Sequence, residues 1–392
     1  MHFTRRQVMA AGLGLAASAC VTVPPRAITV PVGESLDALA RRSGRRFGSA
    51  VGAGSPRQRA GALADPSYRE ILLRECGVLV SENELKWAWT RPSATGFHFG
   101  DFDPILAFAE QHGMAMRGHT LLWVPSQWYP RWLTDHDFGP QPARAASAML
   151  TEHVRAVTRR YGTRITSYDV VNEAVQPETG HIRDTVLTRA MGGEAMLDLI
   201  FHTARAEAPH AELVYNDYMS WELTAEDPTH MAGVLRLLEG FRRRGTPVDT
   251  LGIQSHIRLL KDLPVAQIVR ESEGPWRRFL DEVVAMGYRL VITEFDVNDK
   301  RAPDDIVIRD RMVADYARAY LELMLSYPQL GDVLAWGMVD RYSWLTGFDP
   351  RADRSIKRGT PYDSDYRPKP LREAIAQSFR QATPQRPPVS RG

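Results

Sequence analysis

The stretch Tyr168-Asp169-Val170-Val171-Asn172-Glu173 decides the fold of this 392-residue chain. Aromatic and apolar side chains run directly into an Asn-Glu pair, and a short β-rich run bounded by polar residues is typical of a buried strand. A second run, Leu290-Val291-Ile292-Thr293, ends in the same way at Glu294. Carboxylates at the carboxyl ends of buried parallel strands lie where α/β-barrel enzymes carry out their chemistry.

Outward from this stretch, short apolar runs alternate with longer amphipathic ones from about residue 35 to residue 381. We predict strands at residues 47–51, 78–81, 115–118, 167–171, 213–216, 251–254, 290–293 and 333–337. We predict helices at residues 68–75, 103–111, 143–161, 194–207, 231–244, 276–286, 307–326 and 370–380. Successive strand–helix units in this order predict an α/β fold, a (β/α)8 TIM barrel with a single catalytic domain.

The composition is that of an ordinary soluble globular protein, with 44% hydrophobic and 24% charged residues. The net charge of +2 gives no electrostatic basis for binding nucleic acid. The two cysteines, Cys20 and Cys76, form neither a disulfide framework nor a CxxC motif, so no zinc site is indicated. We expect Cys76 to be a buried, inert thiol.

The first residues predict export. Thr4-Arg5-Arg6-Gln7 precedes an uncharged stretch, residues 8–19, which is too short to span a membrane and is typical of a twin-arginine signal peptide. Cys20 follows a small-residue cleavage site, which leaves open a lipid-anchored protein, as in bacterial lipoproteins, or a periplasmic or secreted one. Membrane attachment is expected only through a lipid on Cys20. We predict a signal peptide at 1–19, a linker at 20–34, the catalytic barrel at 35–383 and a flexible tail at 384–392.

Polar and aromatic residues follow nearly every predicted strand. Tryptophan and tyrosine offer flat apolar faces to the CH-rich faces of sugar rings, and amides, carboxylates, histidine and lysine can hydrogen-bond to sugar hydroxyls. No glycine-rich phosphate loop and no HExxH spacing occurs, so neither a phosphorylated substrate nor a dedicated metal cage is indicated. Two strand-terminal carboxylates are what hydrolysis of a glycosidic bond requires.

Several motifs in a fixed order give the chain a resemblance to glycoside hydrolase family 10, the retaining endo-β-1,4-xylanases. The motifs are Phe47-Gly48-Ser49-Ala50-Val51, Glu82-Asn83-Glu84-Leu85-Lys86-Trp87, Arg117-Gly118-His119-Thr120-Leu121-Leu122-Trp123, Asp169-Val170-Val171-Asn172-Glu173-Ala174, Gly252-Ile253-Gln254-Ser255-His256, Ile292-Thr293-Glu294-Phe295-Asp296, and Trp336-Gly337 with Asp340, Ser343 and Trp344. The resemblance implies a barrel that hydrolyses internal β-1,4 bonds of xylan or xylo-oligosaccharides with retention and without a cofactor. We expect it to be monomeric.

The resemblance also implies a role for each matched residue. Glu173 corresponds to the general acid/base and Glu294 to the nucleophile, while Asn172 is expected to bind the sugar 2-hydroxyl. His256 and Asp296 are expected to orient the nucleophile, and Gln254 to face the same site. Substrate-binding residues are implied on the glycone side (Glu82, Asn83, Lys86, His119 and Trp123), on the aglycone side (Asn216 and Tyr218) and in the aromatic walls (Trp336 and Trp344).

Two alternatives remain open at this point. The same site could hydrolyse a β-1,4-glucan or a short oligosaccharide, or the barrel could bind polysaccharide without cleaving it. The Glu173/Glu294 pair argues against a pure binding protein, which has no need of both carboxylates.

Two local features bear on the substrate. The family usually reads Trp-His-x-Gln-x-Pro-x-Trp after the third strand, whereas this chain reads Trp123-Val124-Pro125-Ser126-Gln127-Trp128-Tyr129-Pro130-Arg131-Trp132. A hydrogen-bond donor is therefore expected to be lost and a Trp-Tyr pair gained. Basic residues in and before segment 347–370 are predicted to be exposed: Arg341, Arg351, Arg354, Lys357 and Arg358. Such a group is usually only solvated, and the alternative hypothesis is that it contacts acidic decorations of xylan, such as glucuronic acid.

Overall fold

The structure, a computed structural model, describes residues 33–54, 61–222, 224–259 and 263–386. Within these ranges lie nine strands: β1 Phe47–Val51, β2 Val78–Ser81, β3 Ala115–Trp123, β4 Ser167–Asn172, β5 Glu212–Asp217, β6 Thr250–Ile253, β7 His256–Arg258, β8 Arg289–Asn298 and β9 Leu330–Ala335. The predicted signal peptide, Cys20, the linker up to residue 32 and the tail from residue 387 lie outside the described residues.

All strand pairs are parallel, and the strands follow one another around a closed ring. Strand β6 pairs with β8, and β9 pairs with β1, which closes eight strands into a barrel. The short strand β7 is an addition that pairs with the end of β8. The predicted (β/α)8 TIM barrel is confirmed.

The described residues form the following α-helices: α1 Leu36–Arg41, α2 Pro66–Glu75, α3 Trp87–Thr90, α4 Asp103–Gln111, α5 Arg131–Thr134, α6 Pro142–Tyr161, α7 Val186–Met191, α8 Gly193–Glu207, α9 Asp227–Arg244, α10 Val265–Ala285, α11 Ile306–Leu325, α12 Leu345–Phe348 and α13 Pro370–Arg380. Every predicted helix is present. The predicted start of α10 at residue 276 is wrong, because Pro275 lies inside a continuous helix. Proline usually starts or interrupts a helix, which explains the misplaced boundary.

Strands β3 and β8 run further than predicted, and this extension positions the site. Strand β3 resumes pairing with β4 after a register shift, so that Trp123 lies opposite Asn172. Strand β8 continues because β7 pairs with it, and Asp296 lies opposite His256. The side chains at the carboxyl ends of these strands therefore converge at one mouth of the barrel.

A buried carboxylate joins helices α1, α2 and α13. The Glu75 carboxylate at the end of α2 accepts from the Arg372 guanidinium of α13 at 3.0 Å and from the Leu36 backbone N–H at 2.8 Å. Next to it, Cys76 is a free, buried thiol, as predicted, and burial raises its pKa well above the usual value. Among the described helices, none combines the length and the apolar character needed to cross a membrane.

The basic residues of segment 347–370 mostly hold the fold together. Arg351 is buried and donates to the carbonyls of Asp299 at 2.7 Å and Ala302 at 2.9 Å. Lys357 is fully buried, and Arg358 pairs with Asp310 at 2.6 Å. The predicted exposed basic group is therefore wrong for Arg351, Lys357 and Arg358, and only Arg341 and Arg354 of that group are exposed.

Candidate active site

Glu173 and Glu294 lie together at the barrel mouth, joined by three amide side chains. The Asn216 amide donates to Glu294 Oε1 at 2.8 Å and to Asn172 Oδ1 at 2.9 Å. On the other side, Gln254 donates to Glu173 Oε1 at 2.8 Å, and Asn172 donates to the same oxygen at 3.2 Å. This chain of contacts connects the two carboxyl groups that come from β8 and from the end of β4.

Glu294 is held as a carboxylate. It is only 5% exposed, and burial by itself raises its pKa. The electrostatic effects of His119, His256 and Lys86, together with a hydrogen bond from His256, lower that pKa to about 2. With Asn216 also donating to it, Glu294 stays ionised throughout the neutral and weakly acidic range.

His256 connects Glu294 to a second carboxylate. Its Nδ1 lies 2.9 Å from Asp296 Oδ1, and its Nε2 lies 3.3 Å from Glu294 Oε2. Burial lowers the pKa of His256, but Asp296 and Glu294 together raise it to about 10, so the imidazolium donates to both carboxylates. Asp296 is itself fixed by the Trp344 indole N–H at 2.7 Å.

Glu173 has the opposite electrostatic environment. It is 9% exposed, and burial, together with the negative charges of Asp217 and Glu294, raises its pKa, although the hydrogen bond from Gln254 acts in the opposite direction. The surroundings of the two neighbouring carboxyl groups therefore shift their pKa values in opposite directions.

Arg183 holds the backbone of Glu173, a contact that the sequence did not predict. Glu173 has a φ of +58°, in a region that non-glycine residues seldom occupy. Arg183 donates to the Glu173 carbonyl at 3.0 Å, to Gln176 Oε1 at 2.7 Å and to the Tyr218 hydroxyl at 2.8 Å. Arg183 lies in a loop ten residues beyond Glu173, and the sequence around it carries no local signal of these partners.

Asn216, which the resemblance implies to be an aglycone-side residue, lies inside the network that joins the two carboxyl groups. It is fully buried, and its amide oxygen accepts from Thr293 at 2.8 Å while its nitrogen donates to Asn172 and Glu294. The Asn216 side chain therefore links Asn172, Thr293 and Glu294 in one network. Tyr218 is half-buried, and Arg183 fixes its hydroxyl.

The expected glycone-side residues form a half-buried group beside Trp123. Lys86 Nζ donates to Asn83 Oδ1 at 3.0 Å and lies 4.4 Å from the centroid of the Trp123 ring. Burial and the charge of Glu84 raise the pKa of Glu82 to about 7, although Lys86 acts in the opposite direction. Glu82 therefore changes charge close to neutral pH.

His119, another of the expected glycone-side residues, contacts Trp336, whose ring also lies near His256. The Nδ1 atom of His119 is 2.9 Å from Asp169, which also pairs with the buried Arg117. The Trp336 ring lies edge-to-face with His119, the centroids 5.4 Å apart, and 6.3 Å from His256. In the described ranges, no group of three or more His, Cys, Asp or Glu side chains could hold a metal ion.

Comparisons with known proteins agree with this geometry. The profile of glycosyl hydrolase family 10 matches residues 35–378. The chain is 28% identical to endo-1,4-β-xylanase B of Thermotoga neapolitana, covering 79% of this chain and 82% of the relative. It is also 28% identical to a thermostable celloxylanase of Thermoclostridium stercorarium, covering 82% and 84%.

Solved structures give the same result. The crystal structure of xylanase 10B from Thermotoga maritima superposes with a TM-score of 0.73 at 27% identity, covering 88% of this chain and 98% of that one. Xylanase 10B from Thermotoga petrophila, in complex with xylobiose, gives a TM-score of 0.74 at 26% identity, covering 89% and 98%. With the family profile spanning most of its length, this chain belongs to glycosyl hydrolase family 10.

Proposed function

We propose that this enzyme is a retaining endo-β-1,4-xylanase, with Glu173 as the general acid/base and Glu294 as the nucleophile. The opposite pKa shifts of the two neighbouring carboxyl groups carry the proposal, since a retaining glycosidase needs one protonated and one ionised carboxyl group. The substrate assignment is supported by the relatives that are named xylanases and by the xylobiose complex.

The first step forms a bond between Glu294 and the anomeric carbon. As the glycosidic bond breaks, Glu173 gives its proton to the leaving oxygen, and a covalent glycosyl-enzyme remains. The Asn172 hydrogen that is not directed at Glu173 is the proposed donor to the sugar 2-hydroxyl, a bond that strengthens in the oxocarbenium-like transition state.

The second step hydrolyses this intermediate. Glu173, now a carboxylate, takes a proton from a water molecule as the water attacks the anomeric carbon and releases Glu294. Two inversions give a product with the β configuration of the substrate. His256 carries a positive charge beside Glu294 and favours its departure as a carboxylate.

Removing the charge of His256 should move the acid limb of the pH profile. In His256→Asn, the pKa of Glu294 rises from about 2 towards its usual value. Glu294 must be ionised to attack the anomeric carbon. The acid-side decrease of kcat/KM should therefore occur at a pH that is higher than in the wild type by roughly one unit or more. The measurement is kcat/KM on an aryl β-xylobioside from pH 3 to pH 9.

His210→Asn is the matched control, because His210 contacts the Ile165 carbonyl just before β4, at the opposite end of the barrel from Glu173. Its acid limb should equal that of the wild type. An acid limb that stays in place in His256→Asn would show that His256 does not tune Glu294.

Arg183 is proposed to position the acid/base. Arg183→Ala should lower kcat about tenfold to a hundredfold for xylo-oligosaccharides, because a small displacement of Glu173 weakens proton transfer. The loss should shrink for aryl xylobiosides whose leaving group needs little protonation, and Arg183→Lys should recover part of it. The control is Arg189→Ala, an exposed arginine of α7 that pairs with Asp184. An equal loss on every leaving group would indicate a purely structural role for Arg183.

Product analysis distinguishes the substrate alternatives. Wild-type enzyme should release short xylo-oligosaccharides from unsubstituted xylan, with only slow cleavage of β-1,4-glucan. The relative named a celloxylanase keeps glucan as the second candidate. Faster cleavage of glucan would change the substrate and leave the mechanism intact, whereas binding without cleavage of either polymer would support the binding-protein alternative.

A further inference from the structure

Trp128 is an exposed aromatic residue at the edge of the site. Its side chain is 45% exposed, and its ring lies parallel to that of Trp123, at 9° with the centroids 4.5 Å apart. A single exposed apolar residue is common on protein surfaces. This one, however, stacks on a tryptophan that lies opposite Asn172 in the strand register and next to the acid/base.

The chain directly after Trp128 is anchored by two aromatic residues. Tyr129 is buried and packs against Trp87 with a centroid distance of 6.3 Å. Trp132 donates its indole N–H to the Arg91 carbonyl at 2.9 Å. Since its neighbours are fixed, the Trp128 indole is presented in a defined orientation, and a preorganised aromatic surface loses little entropy when it binds a ligand.

Trp128 adds a second aromatic ring to the contact between Lys86 and Trp123. Lys86 lies 4.4 Å from the centroid of the Trp123 ring, which also stacks on Trp128. Trp123 and Trp128 thus form a continuous aromatic pair, one member of which lies opposite Asn172 in the strand register. An indole face carries no formal charge and complements the CH-rich face of a neutral pyranose ring.

We propose that Trp128 forms an outer subsite that stacks on a neutral sugar ring of a β-1,4-linked chain, beyond the rings bound by Lys86 and Trp123. The inference rests on the proposed function. It adds a residue that determines the preference of the enzyme for long substrates. Long xylo-oligosaccharides reach this ring, whereas an aryl xylobioside does not.

Chain-length kinetics test the proposal. For Trp128→Ala, kcat/KM on xylohexaose should fall about tenfold, equivalent to about 1.4 kcal/mol, mostly through KM, while the loss on aryl xylobioside should stay within about twofold. Trp128→Phe keeps an aromatic face and should recover most of the loss. Leu73→Ala on the outer helix α2 is the control, because Leu73 is also 45% exposed.

A loss of equal size on every chain length, or no loss on any, would overturn the proposal. Calorimetry gives a readout that is independent of hydrolysis: in a Glu294→Ala background, adding Trp128→Ala should weaken xylohexaose binding about tenfold and xylotriose binding much less. If wild-type enzyme failed to cleave xylan, the proposed function would be wrong. The affinity for cellohexaose of the Glu294→Ala variant, with and without Trp128→Ala, would then test the Trp128 subsite. Equal affinities would overturn the proposal.

Discussion

Glu294→Ala is expected to lose hydrolysis of xylo-oligosaccharides by on the order of 10⁵-fold, because no covalent intermediate can form without the nucleophile. The effect should appear in kcat for every leaving group, since the first step depends on Glu294 in all of them. The measurement is kcat on xylohexaose and on an aryl xylobioside, with folding checked by circular dichroism.

The configuration of the product formed with a small anion should show from which face of the sugar the anomeric carbon is attacked in this variant. In Glu294→Ala, azide can enter the space of the missing carboxylate and attack the anomeric carbon directly, with Glu173 still available to protonate the leaving group. One displacement inverts the configuration, so the product should be the α-azide, identified by NMR. A β-azide product, or near-normal hydrolysis, would contradict the assignment of Glu294.

Glu173→Ala is expected to lower kcat on xylo-oligosaccharides by about 10² to 10⁴, the range typical of general acid–base catalysis. The decrease in the rate of the first step should be far smaller for an aryl xylobioside with a good leaving group, which needs little protonation. In the wild type, the first step needs protonated Glu173, whose pKa is raised, so activity falls as the pH rises through that pKa. The variant should lack this basic limb.

Azide should also distinguish this variant. In Glu173→Ala, the anion attacks the glycosyl-enzyme from the side of the missing acid/base, and two displacements give the β-azide. The control is Glu178→Ala, which removes an exposed carboxylate of the same loop that accepts from Gln176. It should keep wild-type kinetics and pH dependence. An intact basic limb in Glu173→Ala would show that another group is the acid/base.

Much of the fold could be predicted because barrel strands are buried β-rich runs that alternate with amphipathic helices. The runs before Glu173 and Glu294 show this most clearly. The ends of β3 and β8 could not be predicted, because partners far away in sequence prolong them: Asn172 lies opposite Trp123, and His256 lies opposite Asp296. The first half of α10 was missed because Pro275 has the local appearance of a helix start.

The position of a candidate residue could be predicted where it lies at a strand end, as for Glu173 and Glu294, which the structure brings together at the barrel mouth. A local sequence pattern gives neither the direction of a side chain nor the identity of its distant partners. Asn216 follows a strand like the others, but its amide points into the network beneath Glu294. Likewise, Arg358 looked exposed in the sequence, although its partner Asp310 lies on α11.

Covalent labelling of Glu294 tests the proposed mechanism most directly. The wild-type enzyme is incubated with a 2-deoxy-2-fluoro-β-xylobioside that carries a good leaving group, and its peptides are analysed by mass spectrometry. Fluorine slows both steps, but the leaving group compensates only in the first, so the intermediate should accumulate. We expect one fluoroxylobiosyl adduct on the peptide that contains Glu294 and none in Glu294→Ala. Labelling of Glu173 instead, or release of the α-anomer from xylan with no adduct, would contradict the proposed double displacement.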